Sequence, residues 1–256
     1  YNYNPTSKQI IETDFHPSGK YGNPTDLVVK EIEVPSYDGA LVPLSIIYSN
    51  SIKLDGNNPA LLIGYGAYGY SFNSTFSLSS LAWLKNGGVY AIAHVRGGGE
   101  KGDNWYKGGF KSTKPNSWKD FIACGEYLIK NKYTSAERLG AKGVSAGGIT
   151  VGRAITERPD IFKAAILNVA ALNILRLNKA SNVPEFGSPA DSVDFLNLLK
   201  MDVYQNIKDG VQYPSILMTA GVNDSRIAWW QTGKALARFQ EVGSGRSNTV
   251  LYKLTD

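Results

Sequence analysis

The hydrophobic pattern of the chain changes its period once. From Leu27 to Val34 apolar and polar positions follow a two-residue alternation, and Val42 to Tyr48 is rich in β-branched residues. Asp38-Gly39 between them is a tight-turn pair suited to a type I′ turn, so this stretch predicts an antiparallel hairpin. Further on, short apolar runs alternate with amphipathic stretches. Ala60–Ile63, Val89–Val95, Leu139–Lys142, Ala164–Val169, Ser215–Ala220 and Thr249–Leu254 read as buried strands. Leu78–Lys85, Trp118–Asn131, Ala146–Glu157, Ser192–Leu199 and Ala228–Glu241 read as helices. Strands alternating with helices predict an α/β fold: a mostly parallel twisted sheet with helices on both faces and an antiparallel hairpin at its start. Functional residues in such sheets gather at the carboxyl ends of the strands. Residues 1 to 26, with Pro5, Pro17, Gly19, Gly22 and Pro24, are polar and turn-rich and read as a tail or linker.

The 256 residues, 43% of them hydrophobic, suffice for one α/β domain with a large core. Basic residues exceed acidic ones by 27 − 22 = 5, spread along the chain without a run of like charge, which argues against nucleic acid as a partner. No apolar stretch reaches the ~18 residues of a membrane span, so no membrane association is expected. The single cysteine, Cys124, cannot form an internal disulfide. It sits in the apolar run Phe121-Ile122-Ala123-Cys124 and reads as a small buried hydrophobe. No Cys/His cluster has ligand spacing, so neither a metal nor an organic cofactor is implied.

Gly143-Val144-Ser145-Ala146-Gly147 matches G-x-S-x-G, between a predicted strand and a predicted helix. That context is what a nucleophile elbow needs. Small neighbours let the chain turn sharply and present the Ser145 hydroxyl. The Ala146 N–H, at a helix N-terminus, is then placed to bind an oxyanion. A structural turn is the bland alternative. Hydrolases with this elbow order their triad as serine, acid, histidine. Asp224 follows the predicted strand Ser215–Ala220 and is the candidate acid, with a turn or helix cap as its plainer role. No histidine follows Asp224. The only two, His16 and His94, precede Ser145. His94 reads as a packed structural residue and His16 as solvated. The last strand runs out at Thr255-Asp256, just before the loop that would carry the base, so a catalytic domain truncated before its histidine is the expectation.

Gly64-Tyr65-Gly66-Ala67-Tyr68-Gly69 also fits the dinucleotide fingerprint G-x-G-x-x-G. Its context argues against that. No helix opens at once after it, two tyrosines crowd the turn, and no acid ends the next predicted strand. Arg96 there keeps an NADP-binding oxidoreductase as a remote alternative. The better reading is a loop that supplies a second oxyanion donor.

Taken together, Val34-Pro35-Ser36-Tyr37-Asp38-Gly39, Gly64-Tyr65-Gly66-Ala67-Tyr68, Arg96-Gly97-Gly98-Gly99-Glu100, Trp105-Tyr106-Lys107-Gly108-Gly109, Gly143-Val144-Ser145-Ala146-Gly147-Gly148 and Glu157-Arg158-Pro159-Asp160 resemble the catalytic domain of the prolyl oligopeptidase family, in family order and closest to its bacterial members. The resemblance continues more loosely through Asp224-Ser225-Arg226. It implies a serine peptidase of the α/β-hydrolase fold over residues 27–256, acting on short peptides, with residues 1–26 as the tail of a preceding β-propeller. Position by position, it implies Ser145 as nucleophile and Asp224 as triad acid. Tyr65 is expected to donate to the oxyanion beside the Ala146 N–H. Arg226 is expected to hold a substrate carbonyl, and Tyr68, Phe186 and Ile227 to line a proline pocket. The segment Asn182-Val183-Pro184-Glu185-Phe186 departs from the family by lacking a tryptophan, so strict proline preference does not carry over. Arg96 and Glu100 are expected to brace their own glycine loop, and Trp229-Trp230 to serve helix packing. Two other readings stay open: a non-catalytic fragment or binding module, and an esterase or acylaminoacyl-type hydrolase. The sequence does not choose between bacterial cytoplasm and periplasm.

Overall fold

The computed structural model describes residues 2–11, 13, 24–73, 77–176, 181–243 and 249–255. His16 lies outside them. At the start, β1 (Asn2–Asn4) and β2 (Gln9–Ile11) form a small exposed antiparallel pair, apart from the main sheet. This order was not anticipated, because three-residue strands of mixed polarity leave no periodic signal.

The main sheet has eight strands. They are β3 (Leu27–Pro35), β4 (Leu41–Ser49), β5 (Ala60–Gly64), β6 (Val89–Ala93), β7 (Leu139–Val144), β8 (Ala164–Asn168), β9 (Ser215–Gly221) and β10 (Val250–Thr255). Their order is β10-β9-β8-β7-β5-β6-β4-β3. β3 and β4 pair antiparallel, as do β4 and β6, and all remaining pairs are parallel. Adjacent residues of a strand face opposite sides of the sheet. Leu62 and Ile63 are both buried, as are Ala91 and Ile92, so both faces are covered at the centre.

The β3–β4 turn differs from the expected type I′. Gly39 takes a positive φ of 84° and Asp38 does not. The Gly39 N–H donates to the Ser36 carbonyl at 3.0 Å, and the Ser36 N–H to the Ala40 carbonyl at 2.8 Å. This is a wider turn that ends on a left-handed glycine.

Seven helices are described: α1 (Leu78–Lys85), α2 (Asp103–Lys107), α3 (Pro115–Lys130), α4 (Gly147–Glu157), α5 (Val183–Phe186), α6 (Ser192–Met201) and α7 (Trp229–Val242). Their starts follow local chemistry. The Ser77 side chain accepts the Ser80 N–H to cap α1, Pro115 opens α3, and Asp191 accepts the N–H groups of Val193 and Asp194 to cap α6. The short helices α2 and α5 went unread because one turn is too brief to show a 3.6-residue period. α3 and α4 pack on each other, α1 packs on β4 and β6, and α7 on β9 and β10. Cys124 is fully buried on α3, where burial pushes its thiol pKa up.

The chain runs from β5 outward to β6 and then crosses back to β7 on the other side of β5. At such a reversal the loops leaving two neighbouring strands diverge and open a crevice at the carboxyl edge. Tyr65 leaves β5 and Ser145 leaves β7, so the two residues flank that crevice.

Candidate active site

Ser145 has φ 54°, in the left-handed region, between the end of β7 and the start of α4. An L-residue there costs ~1–2 kcal/mol and persists only where its surroundings enforce it. Here they do. The Ser145 N–H donates to the Asn168 carbonyl at 3.0 Å, and its carbonyl accepts from the N–H groups of Gly148 and Ala171, each at 2.9 Å. The flanking glycines allow the tightness. A Cβ on Gly143 would lie 2.5 Å from the Gly147 carbonyl oxygen, and one on Gly147 would lie 2.8 Å from that of Gly64. Ala146, 3% exposed, directly precedes α4.

The loop after β5 packs onto this turn. The Tyr65 carbonyl accepts from Thr150 Oγ1 of α4 at 2.8 Å. The Tyr65 phenol is raised above its ordinary pKa by burial, opposed by the positive charge of Arg226 and by the nearby Ser145 side chain. The phenol therefore stays protonated and stands beside the serine with a proton to donate. Tyr68 has φ 60°, and burial together with the Glu185 charge pushes its phenol up to about 12. Its ring meets Phe186 edge-on, centroids 5.5 Å apart, and its hydroxyl donates to Asn182 Oδ1 at 2.9 Å. After the first turn, Gly66-Ala67-Tyr68-Gly69 runs on in irregular backbone and α1 begins only at Leu78, so the loop does not lead directly into a helix.

Asp224 follows β9, with β8 between it and the Ser145 strand. Both residues lie at the same carboxyl edge. Two strand spacings, about 10 Å, separate the backbones of β7 and β9, and the two side chains lean from that edge. Asp224 Oδ1 accepts the backbone N–H groups of Arg226 at 2.7 Å and Ile227 at 2.9 Å. The turn-capping role weighed for Asp224 is thus real, and it also fixes the plane of the carboxylate. Arg226 acts on the phenols of both Tyr65 and Tyr68. Ile227 is buried in the core cluster.

His94 does not join this group. Its Nε2 is 2.7 Å from Ser45 Oγ on β4, and its Nδ1 is 3.4 Å from Glu100 Oε1. Arg96 was expected to brace its own glycine loop, but it reaches further. It donates to Asp38 Oδ2 in the β3–β4 turn at 2.6 Å and to Asp120 Oδ1 on α3 at 2.7 Å. Glu100 instead accepts the Phe72 N–H at 3.0 Å. Trp229, read as helix packing, is 47% exposed at the start of α7.

Two charged residues beside the crevice escaped the sequence reading. Glu185, 4% exposed, accepts the Tyr68 N–H at 2.7 Å and the Tyr106 hydroxyl at 2.6 Å. Lys114, wholly buried, donates to the Gly66 carbonyl. Glu185 adjoins Phe186, which was a signal for it. Lys114 stands in the polar stretch Lys111-Ser112-Thr113-Lys114 and gave none.

Residues 74–254 match the model of the prolyl oligopeptidase family. The chain is 38% identical over 232 residues to the prolyl endopeptidase of Elizabethkingia meningoseptica, covering 89% of this chain and 32% of that protein. A solved prolyl endopeptidase structure superimposes with a TM-score of 0.88 at 36% identity, over 91% of this chain and 35% of the other. Oligopeptidase B from Trypanosoma brucei, with covalently bound antipain, gives 0.86 at 35% identity, over 90% and 33%.

Proposed function

The chain belongs to the prolyl oligopeptidase family, and on that premise we propose that it is the catalytic part of a serine peptidase that cleaves short peptides through an acyl-enzyme on Ser145. It spans 32% of the length of the curated relative and 35% of the solved one. The whole protein's activity and its β-propeller partner domain are therefore part of this proposal. The observation that carries it is Ser145 held at φ 54° beside the phenol of Tyr65. A left-handed serine at a strand-to-helix turn, facing a half-buried phenol, is arranged for attack rather than for packing.

Ser145 Oγ attacks the carbonyl carbon of a peptide bond. An imidazole takes its proton, and Asp224 orients and stabilises that imidazole. The sequence has no histidine after Asp224, so the base is proposed to lie outside these residues. The Tyr65 hydroxyl and the Ala146 N–H receive the oxyanion; one such donor is worth ~10²–10³ in turnover. Arg226, near both phenols, holds a substrate carbonyl. Tyr68, Phe186 and Ile227 line the pocket for the residue before the scissile bond. The amine leaves with the proton, and water hydrolyses the acyl-enzyme.

The test uses the protein at its natural full length, with a short proline-containing chromogenic peptide and a fluorophosphonate probe. Turnover and labelling are expected in the unaltered protein and are lost in Ser145→Ala. Labelling elsewhere, or turnover that survives Ser145→Ala, would sink the reading in favour of a non-catalytic domain. Hydrolysis of esters without hydrolysis of peptides would make it an esterase.

A further inference from the structure

A fully buried lysine beside the crevice has no part in the reaction just described. Lys114 directly precedes α3 and is 0% exposed. Lysines are almost never so buried unless paired, because removing an ammonium from water is costly. Its Nζ donates to the Gly66 carbonyl and lies 5.9 Å from the centroid of the Phe186 ring. The charge facing it is that of Glu185 on α5, whose carboxylate also holds Tyr68 and Tyr106. We propose that Lys114 is a positioning residue for the reaction: by holding the Gly66 carbonyl it fixes the Tyr65 phenol against Ser145 and the Tyr68 ring against Phe186.

The local geometry leaves that task to Lys114. The Tyr65 carbonyl is anchored by Thr150 on α4. The next carbonyl, that of Gly66, is buried, and its other neighbour, Ser117 Oγ, stands 3.5 Å away. At that length a hydrogen bond contributes little, and Ser117 Oγ already donates to the Arg96 carbonyl at 2.5 Å. Thr150 on α4 and Lys114 at the cap of α3 thus pin two consecutive peptides. Gly66 at φ 69° and Tyr68 at φ 60° lie directly beyond those pins. Without the ammonium, the Gly66–Ala67 peptide is free to rotate, and the phenol before it and the ring after it move with it. Lys114 touches neither substrate nor reacting atoms, so its influence passes through Tyr65 and Tyr68.

The inference rests on Tyr65 being the oxyanion donor, and a double-variant cycle separates the two claims. It is run on the full-length protein with the chromogenic peptide, with thermal midpoints recorded for each variant. Tyr65→Phe is expected to lower kcat by ~10²–10³. Lys114→Met, which keeps the volume and loses the ammonium, is expected to lower kcat by up to about 10², the scale of a 1 Å misplacement. In the Tyr65→Phe background Lys114→Met should add little, because the group it positions is gone. A merely structural lysine would lower the thermal midpoint without this non-additivity. Factors that multiply, or a Lys114→Met protein with undiminished kcat, would overturn the role of Lys114 and leave Tyr65 in place. A Tyr65→Phe protein at full speed would overturn both. If Lys114→Met does not fold, Lys114→Leu, which likewise loses the donor and keeps an apolar side chain in the site, goes through the same cycle with the same criteria.

Discussion

The backbone N–H of Tyr68 donates to Oε1 of Glu185 at 2.7 Å, across 117 residues of sequence. The bond holds a tyrosine at φ 60°, a conformation that costs ~1–2 kcal/mol without support. The other oxygen of Glu185 accepts the Tyr106 hydroxyl at 2.6 Å. One buried carboxylate thereby ties α5, the loop after β5 and α2 into a single wall beside the crevice.

Glu185→Ala should therefore weaken peptide binding before it weakens chemistry. The part-buried Tyr68 N–H and Tyr106 hydroxyl lose their acceptor, each at about 1 kcal/mol. KM for a short peptide should rise several-fold and the thermal midpoint should fall, while fluorophosphonate labelling of Ser145 persists. A KM equal to that of the unaltered protein would show that Tyr68 does not line the pocket.

The elbow is sensitive to a single methyl group. A Cβ at position 143 would lie 2.5 Å from the Gly147 carbonyl oxygen and 3.0 Å from Val151 Cβ. Backbone cannot yield as a flexible side chain does, so Gly143→Ala should cost ~1–3 kcal/mol of stability. It should also slow probe labelling of Ser145, because the turn must open to admit the methyl. Denaturant unfolding and labelling rate measure the two effects; an alanine tolerated in both would mean that the turn is looser than its hydrogen bonds indicate.

His94 should prove silent in catalysis. Its ring is engaged by Ser45 at 2.7 Å and lies beside Glu100. A polypeptide of these 256 residues, with no histidine after Asp224, should hydrolyse a proline peptide very slowly, since a serine without a base is a weak nucleophile. His94→Gln should leave that residual rate unchanged and lower only stability. A further fall in rate would make His94 a base.

Lys114 should make stability depend on alkaline pH. Burial lowers its pKa from 10.5 to about 8, against the partial support of the Glu185 charge. Below pH 8 the lysine is protonated in both folded and unfolded chains and the slope is flat. Between pH 8 and 10.5 the unfolded chain binds the extra proton, so stability rises with pH. The stability difference between the unaltered protein and Lys114→Met should climb there by about 1.4 kcal/mol per pH unit. A flat difference in denaturant unfolding would mean that Lys114 keeps its ordinary pKa.

The sequence by itself determined the alternation of strands and helices, the parallel sheet and the elbow at Ser145. Each of these rests on local rules: a run of apolar residues, a period, a serine between small neighbours. Leu78–Lys85 is a helix over the very span that its pattern predicted. Asp224 was legible because a loop after a strand is a place that can be counted along the chain. The type I′ turn was misjudged because the Asp38-Gly39 pair is compatible with more than one loop length, and the ion pair from Arg96 to Asp38 lies across the fold. Glu185 and Lys114 were out of reach for the same reason. Whether a charged side chain is solvated or buried depends on what the rest of the chain places over it. Only the packing of α3 and α5 against the loop after β5 decided that these two charges stand inside, beside Tyr65 and Tyr68, instead of in water.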